Sequence, residues 1–448
     1  MRRILVDNAG SWNIGDISMV ESGVAKFLNL CPEAELHVVD RSNEQSAVWN
    51  FPRVHRTPNI EIAPRQRRVL RALSRLPLLW RLPSIYQAQA LQRMFSDIGR
   101  ESRASDLPVS IASPRIKSTT LGTFCENYDA LYLVGGGNIT DTFPFELLRK
   151  CAWINCFSEQ GKPVILTGQQ IGPFHSQTTR DAAMRGLLKC CFVGVREPLD
   201  SLHYCQHAGL APDRFALMGD DSFGLRKPEK GDIARLLHKY GVGSGEFIAL
   251  NLRSTSYMKA TRRRLPAIAK FVQNLIRELK LPVLVVPIVL SGTESDILCG
   301  KQLAAMVGSE SVRVMDTEGL TPSTARGVLG CAVGGVGTSY HFCTFALSEA
   351  VPVVCLHDGS YYNQKANGIA AFWGDKRFAM SLSEIQDPAA IGRIRDVFND
   401  RQLRIDLALR AKEAHRVWHE NFRTAMSVID IRNATEEIST AKTVSGWE

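Results

Sequence analysis

Residues 130–173, ALYLVGGGNITDTFPFELLRKCAWINCFSEQGKPVILTGQQIGP, place two short apolar runs on either side of a candidate helix. The runs occupy 130–134 and 163–166, and each leads into a turn that contains glycine. Strands that alternate with helices favour a parallel sheet with helices on both faces. The sequence therefore predicts an α/β fold. The same rhythm of apolar run, turn and helical pattern recurs at 3–6, 36–39 and 191–195.

A second series of apolar runs predicts a second domain. The polar stretch 226–232, RKPEKGD, contains Pro and Gly and cannot continue a buried element, so it predicts a linker. Further apolar runs follow at 247–252, 283–289, 312–315, 332–336 and 351–356. We predict two tandem Rossmann-like, doubly wound domains with the ligand site between them, because open α/β sheets bind ligands beyond the carboxyl ends of their strands. The predicted divisions are an N-terminal domain at 1–225, a linker and first helix at 226–246, a C-terminal domain with terminal helices at 247–435, and a flexible tail at 436–448.

Composition narrows the class of protein. The 448 residues are 45% hydrophobic and 22% charged, which excludes disordered and collagen-like classes. An excess of nine positive charges favours an anionic partner. No apolar run approaches the roughly 20 residues of a membrane-spanning helix, and no secretion-signal core follows Met1, so a cytoplasmic protein is expected. Eleven cysteines form no CxxC pair and no zinc-like spacing, so no metal site is expected.

A basic segment interrupts the first predicted domain at about 64–103. It carries nine arginines interleaved with leucines, a valine and a tryptophan. An arginine-rich helix with this apolar face can lie on the anionic inner face of a membrane. The alternative is a solvated pair of surface helices whose apolar face packs on the domain. The sequence leaves both interpretations open.

Candidate ligand-binding loops follow several of the predicted strands. Three glycines, Gly135 to Gly137, precede Asn138 and would let a ligand approach the backbone closely. Gln169 and Gln170 follow the next strand, where their amides can bind sugar hydroxyls or a carboxylate. For each of these loops, an ordinary turn is the alternative.

Charged and titratable side chains stand at three further positions of this kind. Arg196 ends one predicted strand, and its planar fork matches a carboxylate or phosphate; an ion pair with Glu197 or Asp200 is the alternative. The acids Asp220 and Asp221 end the next strand. Thr338 or Ser339 would cap a helix whose first turn carries His341, beside backbone amides that attract anions.

In their order along the chain, these motifs resemble the polysaccharide pyruvyl transferases, which transfer pyruvate from phosphoenolpyruvate to form ketals on surface sugars. The resemblance implies a glycosyltransferase-B-like arrangement with phosphoenolpyruvate in the cleft. The motifs that carry it, between about residues 4 and 374, are Asn13-x-Gly15-Asp16, Gly135-Gly136-Gly137, Gly168 with Ile171-Gly172-Pro173, Val195-Arg196-Glu197 with Ser201, Gly219-Asp220-Asp221, and His341 with Phe345-Ala346-Leu347 and Val351-Pro352-Val353-Val354.

The resemblance also implies roles for individual residues. Arg196 would grip the donor, His341 would be the catalytic acid, and Lys365 would face the same cleft. The chain departs from the family at Ser339, where the family has Arg, so Lys365, Arg253 or Lys259 is expected to replace that cation. The expected catalytic residues are His341, Asp16 and Asp221, and the expected substrate-binding residues are Arg196, Lys365, Gly136, Gly137, Asn138, Gln169, Ser339, Tyr340 and Arg253.

The expected reaction needs one acid, several cations and a group that orients the acceptor hydroxyl. No cofactor beyond phosphoenolpyruvate as donor substrate is expected, and the expected acceptor is a sugar of a surface polysaccharide or of its lipid-linked precursor, not nucleic acid. Two alternatives remain at this stage: a nucleotide-sugar glycosyltransferase of the same architecture, and a non-catalytic glycan-binding relative.

Overall fold

The computed structural model describes residues 2–7, 13–40, 46–62, 104–111, 119–253, 263–292, 295–308 and 310–444. The basic segment predicted at 64–103 lies outside these residues, and so does Lys259. Two helix-flanked parallel sheets dominate the described part of the chain, and they confirm the predicted α/β class.

The first sheet is built from the N-terminal half of the chain. In the described residues its strands run in the order β11-β10-β9-β7-β1-β2-β3, and β8 pairs with the far end of β9. A small antiparallel sheet, β4-β5-β6, lies beside it. The strands are β1 (Arg3–Asp7), β2 (Glu35–Asp40), β3 (Val54–Pro58), β4 (Ile60–Ile62), β5 (Pro108–Ile111), β6 (Thr119–Thr120), β7 (Ala130–Leu133), β8 (Gly136–Ile139), β9 (Val164–Ile171), β10 (Phe192–Val195) and β11 (Phe215–Leu217).

The second sheet follows the predicted linker and runs in the order β14-β13-β12-β15-β16-β17. The central strands of both sheets are buried along their whole length, as expected for strands covered by helices on both faces. The strands are β12 (Ile248–Asn251), β13 (Val283–Val285), β14 (Val312–Val314), β15 (Gly334–Gly337), β16 (Val353–His357) and β17 (Ala379–Ser381).

The helices cover both faces of the two sheets. None of those described is both long enough and apolar enough to cross a membrane. Those of the N-terminal half are α1 (Ile14–Leu30), α2 (Leu121–Cys125), α3 (Pro144–Glu159), α4 (Gln177–Leu187) and α5 (Asp200–His207). Those that follow are α6 (Lys230–Lys239), α7 (Leu265–Leu279), α8 (Asp296–Val307), α9 (Pro322–Leu329), α10 (Tyr340–Ser348), α11 (Gly359–Trp373), α12 (Ala390–Asn399) and α13 (Arg401–Val444).

The terminal helix α13 links the two halves of the protein. Near its start, Arg404 donates a hydrogen bond to the carbonyl of Val333 in the second half. Further along, the ring of Phe422 packs edge-on against Tyr132 of β7, with the ring centroids 5.9 Å apart. Trp418 packs against Phe422 and reaches the first sheet as well. The helix continues to Val444.

Strand order fixes where a ligand site belongs. In the first sheet the order reverses between β1 and β7, and in the second it reverses between β12 and β15. Doubly wound sheets bind ligands at such switch points, beyond the carboxyl ends of the strands. The two switch points face each other, because the N-terminus of α1, which follows β1, contacts the loop after β13: the amide of Ile14 donates to the carbonyl of Ile288 at 2.9 Å.

Candidate active site

The imidazole of His341 lies where the two switch points meet. It stands in the first turn of α10, directly after β15, and is only 5% exposed. The first turn of α1 approaches it so closely that a Cβ built on Gly15 would lie 2.1 Å from Nδ1 of His341. Glycine at position 15 is therefore required for the ring to occupy this place.

The partner of His341 across the cleft is Asp220. The Nε2 atom of His341 lies 3.6 Å from Oδ2 of Asp220, and the other carboxylate oxygen accepts a hydrogen bond from the amide of Ser222. Burial by itself would raise the pKa of Asp220, but the charges of His341 and Arg196 and the hydrogen bonds lower the pKa to about 2. Asp220 is therefore a carboxylate throughout the neutral range, facing the imidazole.

Arg196 completes this cluster from the carboxyl end of β10. Its guanidinium lies 3.6 Å from the same oxygen of Asp220 and donates a hydrogen bond to the side-chain oxygen of Gln170. The guanidinium carbon stacks 3.8 Å from the centre of the Tyr340 ring. Glu197 is not its partner, because that carboxylate accepts from the backbone amides that open the following helix. Three neighbours thus fix the fork of Arg196 in the cleft.

Arg253 lies just beyond the carboxyl end of β12 in the second sheet. Its backbone amide donates to the side chain of Thr338, the residue before Ser339. Its Nε atom lies 3.5 Å from Oδ1 of Asp296. The other oxygen of Asp296 accepts from the amides of Ile288 and Val289, so the carboxylate that holds Arg253 is itself fixed.

Lys365 of α11 adds a further cation. Its ammonium lies 4.1 Å from the centre of the Tyr361 ring. Burial lowers the pKa of Lys365 well below its ordinary value, the charges of Arg196 and Arg253 lower it further, and Asp16 opposes them. Asp16, in the first turn of α1 and partly exposed, therefore lies within electrostatic reach of Lys365.

The glycine segment approaches the same cations from the first sheet. Gly136, Gly137 and Asn138 form the short strand β8, and Tyr361 donates a hydrogen bond to the carbonyl of Gly137 at 3.0 Å. A Cβ on Gly137 would lie 3.0 Å from the guanidinium of Arg196. Glycine at position 137 lets the backbone of the first domain approach the cationic side chains of the cleft. The neighbouring Asn138 is partly exposed.

Among the described residues, several buried polar atoms of this cleft make no hydrogen bond. They include Nε2 of Gln170, Nε of Arg196, and the atoms Oδ2 of Asp220 and Nε2 of His341, which face each other at 3.6 Å. Buried polar groups in native proteins are nearly always hydrogen-bonded, so a group of adjacent exceptions marks a place for a ligand. Two of these atoms are donors and one belongs to a titratable ring, which suits an anion that also receives a proton.

The structure gives two predicted site residues different positions. The amide of Gln169 accepts from Lys150 and donates to the carbonyls of Val134 and Thr167, so it holds the strand ends together rather than facing the cleft. Its neighbour Gln170 faces Arg196 instead.

Asp221, predicted to be catalytic, is likewise fixed within the fold. One oxygen accepts from the amide of Gly135 and the hydroxyl of Thr167, and the other accepts from the indole of Trp418. Burial raises the pKa of Asp221 to about 6 although these hydrogen bonds oppose it. The acid that faces the cleft is Asp220, whose Oδ2 atom lies 3.6 Å from Nε2 of His341.

Ser339 and Tyr340 keep their predicted places beside His341. Ser339 is the N-cap residue of α10, but its side chain makes no capping hydrogen bond there. Asp296 was missed by sequence reasoning, although its position at the start of α8, after a strand, was a usable signal. Tyr361 was missed as well, because an aromatic residue in an amphipathic helix is expected to belong to the hydrophobic core.

The comparisons with known proteins agree with this architecture. A family model described as polysaccharide pyruvyl transferase matches residues 13–357. A comparison with curated proteins gave no match. Among solved structures, the chain is similar to MnaA of S. aureus in complex with UDP, with 11% identity, a TM-score of 0.58 and 97% of each chain covered.

Two further structures show the same likeness. UDP-GlcNAc 2-epimerase from Neisseria meningitidis bound to UDP-GlcNAc has 11% identity and a TM-score of 0.55, with 95% of this chain and 100% of that chain covered. HepE of Anabaena in complex with UDP has 13% identity and a TM-score of 0.53, with 98% and 100% covered. The likeness shows the glycosyltransferase-B-like fold of two Rossmann-like domains. Because the family model matches far more than half of the chain, the protein belongs to the polysaccharide pyruvyl transferase family and is an enzyme that transfers a group.

Proposed function

We propose that the enzyme transfers the pyruvyl group of phosphoenolpyruvate to two hydroxyls of a sugar and releases phosphate, leaving a pyruvate ketal. The observation that carries this proposal is the cluster of unpartnered buried atoms of Arg196, His341, Asp220 and Gln170 beside two further cations. Phosphoenolpyruvate carries a carboxylate and a phosphate on one small carbon frame. Arg196 and Arg253 are positive in the cleft, and Lys365 adds a third positive charge when a bound anion offsets the burial that lowers its pKa.

His341 is assigned to deliver the proton. Protonation of the methylene carbon uses the double-bond electrons and leaves a cationic carbon next to oxygen, which the Asp220 carboxylate, 3.6 Å from His341, stabilises electrostatically. A hydroxyl of the sugar then attacks that carbon and loses its proton to a carboxylate, for which Asp16 is suited by its exposure. Phosphate leaves with the electrons of its carbon–oxygen bond, and the second hydroxyl attacks the same carbon and gives its proton to the imidazole of His341, which restores the acid.

Arg253 is assigned to replace the cation that the family has at position 339. Its backbone amide donates a hydrogen bond to the side chain of Thr338, the residue before Ser339. Its guanidinium is held by Asp296 on the same side of the cleft. A short Ser339 side chain leaves room for the longer side chain from the neighbouring strand. Lys365, which approaches from α11, shares the anion with Arg253.

The acceptor is proposed to be a sugar of a surface polysaccharide or its lipid-linked precursor. The family membership supports a glycan acceptor, and the partly exposed residues Asn138 and Asp16 are the proposed contacts of the sugar. A cytoplasmic location and contact of the 64–103 segment with a membrane remain predictions.

Ligand binding tests this assignment against the alternative nucleotide-sugar glycosyltransferase. Phosphoenolpyruvate should raise the melting temperature of the protein, because a ligand that binds the native state stabilises it, whereas UDP-glucose and UDP-galactose should not. If UDP-sugars raise the melting temperature and phosphoenolpyruvate does not, the donor is a nucleotide sugar and the alternative function is supported.

A further inference from the structure

A group of three metal-ligating side chains lies on the first sheet, toward the amino ends of β2 and β3. Glu35 and His37 are two residues apart on β2, so their side chains share one face of the sheet. His55 of β3 is the registered partner of His37, so its side chain points to the same face. Strand register therefore brings all three together, at the end of the sheet opposite to the cleft.

The distances between these side chains fit a shared ion. One ligand atom of each residue lies within 4.8 Å of the others, and Nε2 of His37 is 3.9 Å from the carboxylate of Glu35. The two imidazoles stack with their centroids 4.9 Å apart. Ligand atoms around a tetrahedral zinc ion, each about 2.1 Å from it, are about 3.4 Å apart, so small side-chain rotations would close the group.

The environment of the His37 ring is that of a metal ligand rather than of a hydrogen-bonded core residue. Its Nε2 atom is buried and has no hydrogen-bond partner among the described residues. Access is open, since His55 is exposed and Glu35 is partly exposed.

The charged side chains around this group are compatible with a bound cation. Arg3, the nearest positive side chain, is placed with its guanidinium over the Tyr128 ring, 5.9 Å from the centroid. The Tyr128 ring in turn meets His37 edge-on at 5.3 Å and limits where that imidazole can turn. The negative charge of Glu35 offsets that of Arg3.

We propose that Glu35, His37 and His55 form a site for a borderline divalent cation of the zinc type, with water completing its coordination. Two imidazoles and one carboxylate are a ligand set typical of zinc, and nitrogen ligands exclude magnesium and calcium as preferred occupants. The ion would clip β2 to β3 at the edge of the first sheet. The site is independent of the pyruvyl-transfer cleft.

Titration of the tag-free protein with Co²⁺, followed by visible absorption, and competition with Zn²⁺ test the site. We expect one equivalent to bind and Zn²⁺ to raise the melting temperature. His55→Gln, at an exposed residue that folding does not require, and Glu35→Gln should each weaken binding by at least the roughly 10- to 100-fold that even outer-shell changes cause at metal sites.

The control is His203→Gln, because His203 and His207 form an exposed pair one helical turn apart that could bind an ion by itself. Metal affinity unchanged in His203→Gln but lost in His55→Gln supports the site. Absence of saturable binding by the wild-type protein, or binding that survives His55→Gln and disappears in His203→Gln, overturns it.

Discussion

Replacing Arg196 by Lys should weaken phosphoenolpyruvate binding strongly while leaving the fold intact. The guanidinium is positioned by Gln170, Asp220 and the face of Tyr340, so that its remaining donors face the cleft. A lysine keeps the charge but presents a single ammonium without the planar fork. One charged hydrogen bond to the donor should therefore be lost.

The loss of one such bond is worth about 1.5–3 kcal/mol, which corresponds to a roughly 10- to 150-fold higher dissociation constant. Isothermal titration with phosphoenolpyruvate measures it directly. Arg395→Lys, the exposed arginine on α12, should bind as the wild type does. An unchanged dissociation constant in Arg196→Lys, with a melting temperature like that of the control, would refute the assignment of Arg196 to the donor.

Three further changes probe the rest of the cleft. Gly15→Ala should displace the His341 ring, because the added Cβ would lie 2.1 Å from Nδ1 of His341, and phosphate release should fall. The control is Gly392→Ala, where an added Cβ meets nothing within 4 Å; this variant should have full activity. Ser339→Arg should weaken phosphoenolpyruvate binding in calorimetry, because Arg253 is proposed to supply the cation at that place already; tighter binding would contradict the assignment of Arg253. Asp220, with its pKa lowered to about 2, should stabilise the fold by about 2 kcal/mol above pH 4. That contribution should be lost as the pH falls toward 2, so the wild type and Asp220→Asn should converge in urea unfolding at low pH; a constant difference between them contradicts this.

Much of the fold follows from apolar periodicity. The runs at 130–134 and 163–166 became β7 and β9, because strands covered on both faces are continuously apolar and so stand out in the sequence. Short or half-exposed strands such as β8 and β11 lack that signal. The packing of α13 against the first sheet depends on long-range contacts of Trp418 and Phe422. Such contacts cannot be predicted from local sequence patterns.

The cleft was predictable at the level of loops rather than of single side chains. Arg196 and His341 meet because both follow strands at the carboxyl edges of the sheets, a consequence of topology. The choice between Gln169 and Gln170 was not predictable, since the pairing of β9 with β10 slips at Gly168, where φ is +54°, and alternation fails there. Asp220 and Asp221 likewise point to opposite sides of one turn.

In the proposed reaction, His341 gives its proton to phosphoenolpyruvate held by the cleft cations. The most direct measurement compares the wild type and His341→Gln for phosphoenolpyruvate binding and for phosphate release, with the methyl glycoside of glucose, galactose or mannose that the wild type uses best. Glutamine retains a hydrogen-bond donor but cannot transfer a proton, so binding should be nearly unchanged while release falls by about 100- to 10,000-fold. Release by His341→Gln at a rate near that of the wild type would contradict the account.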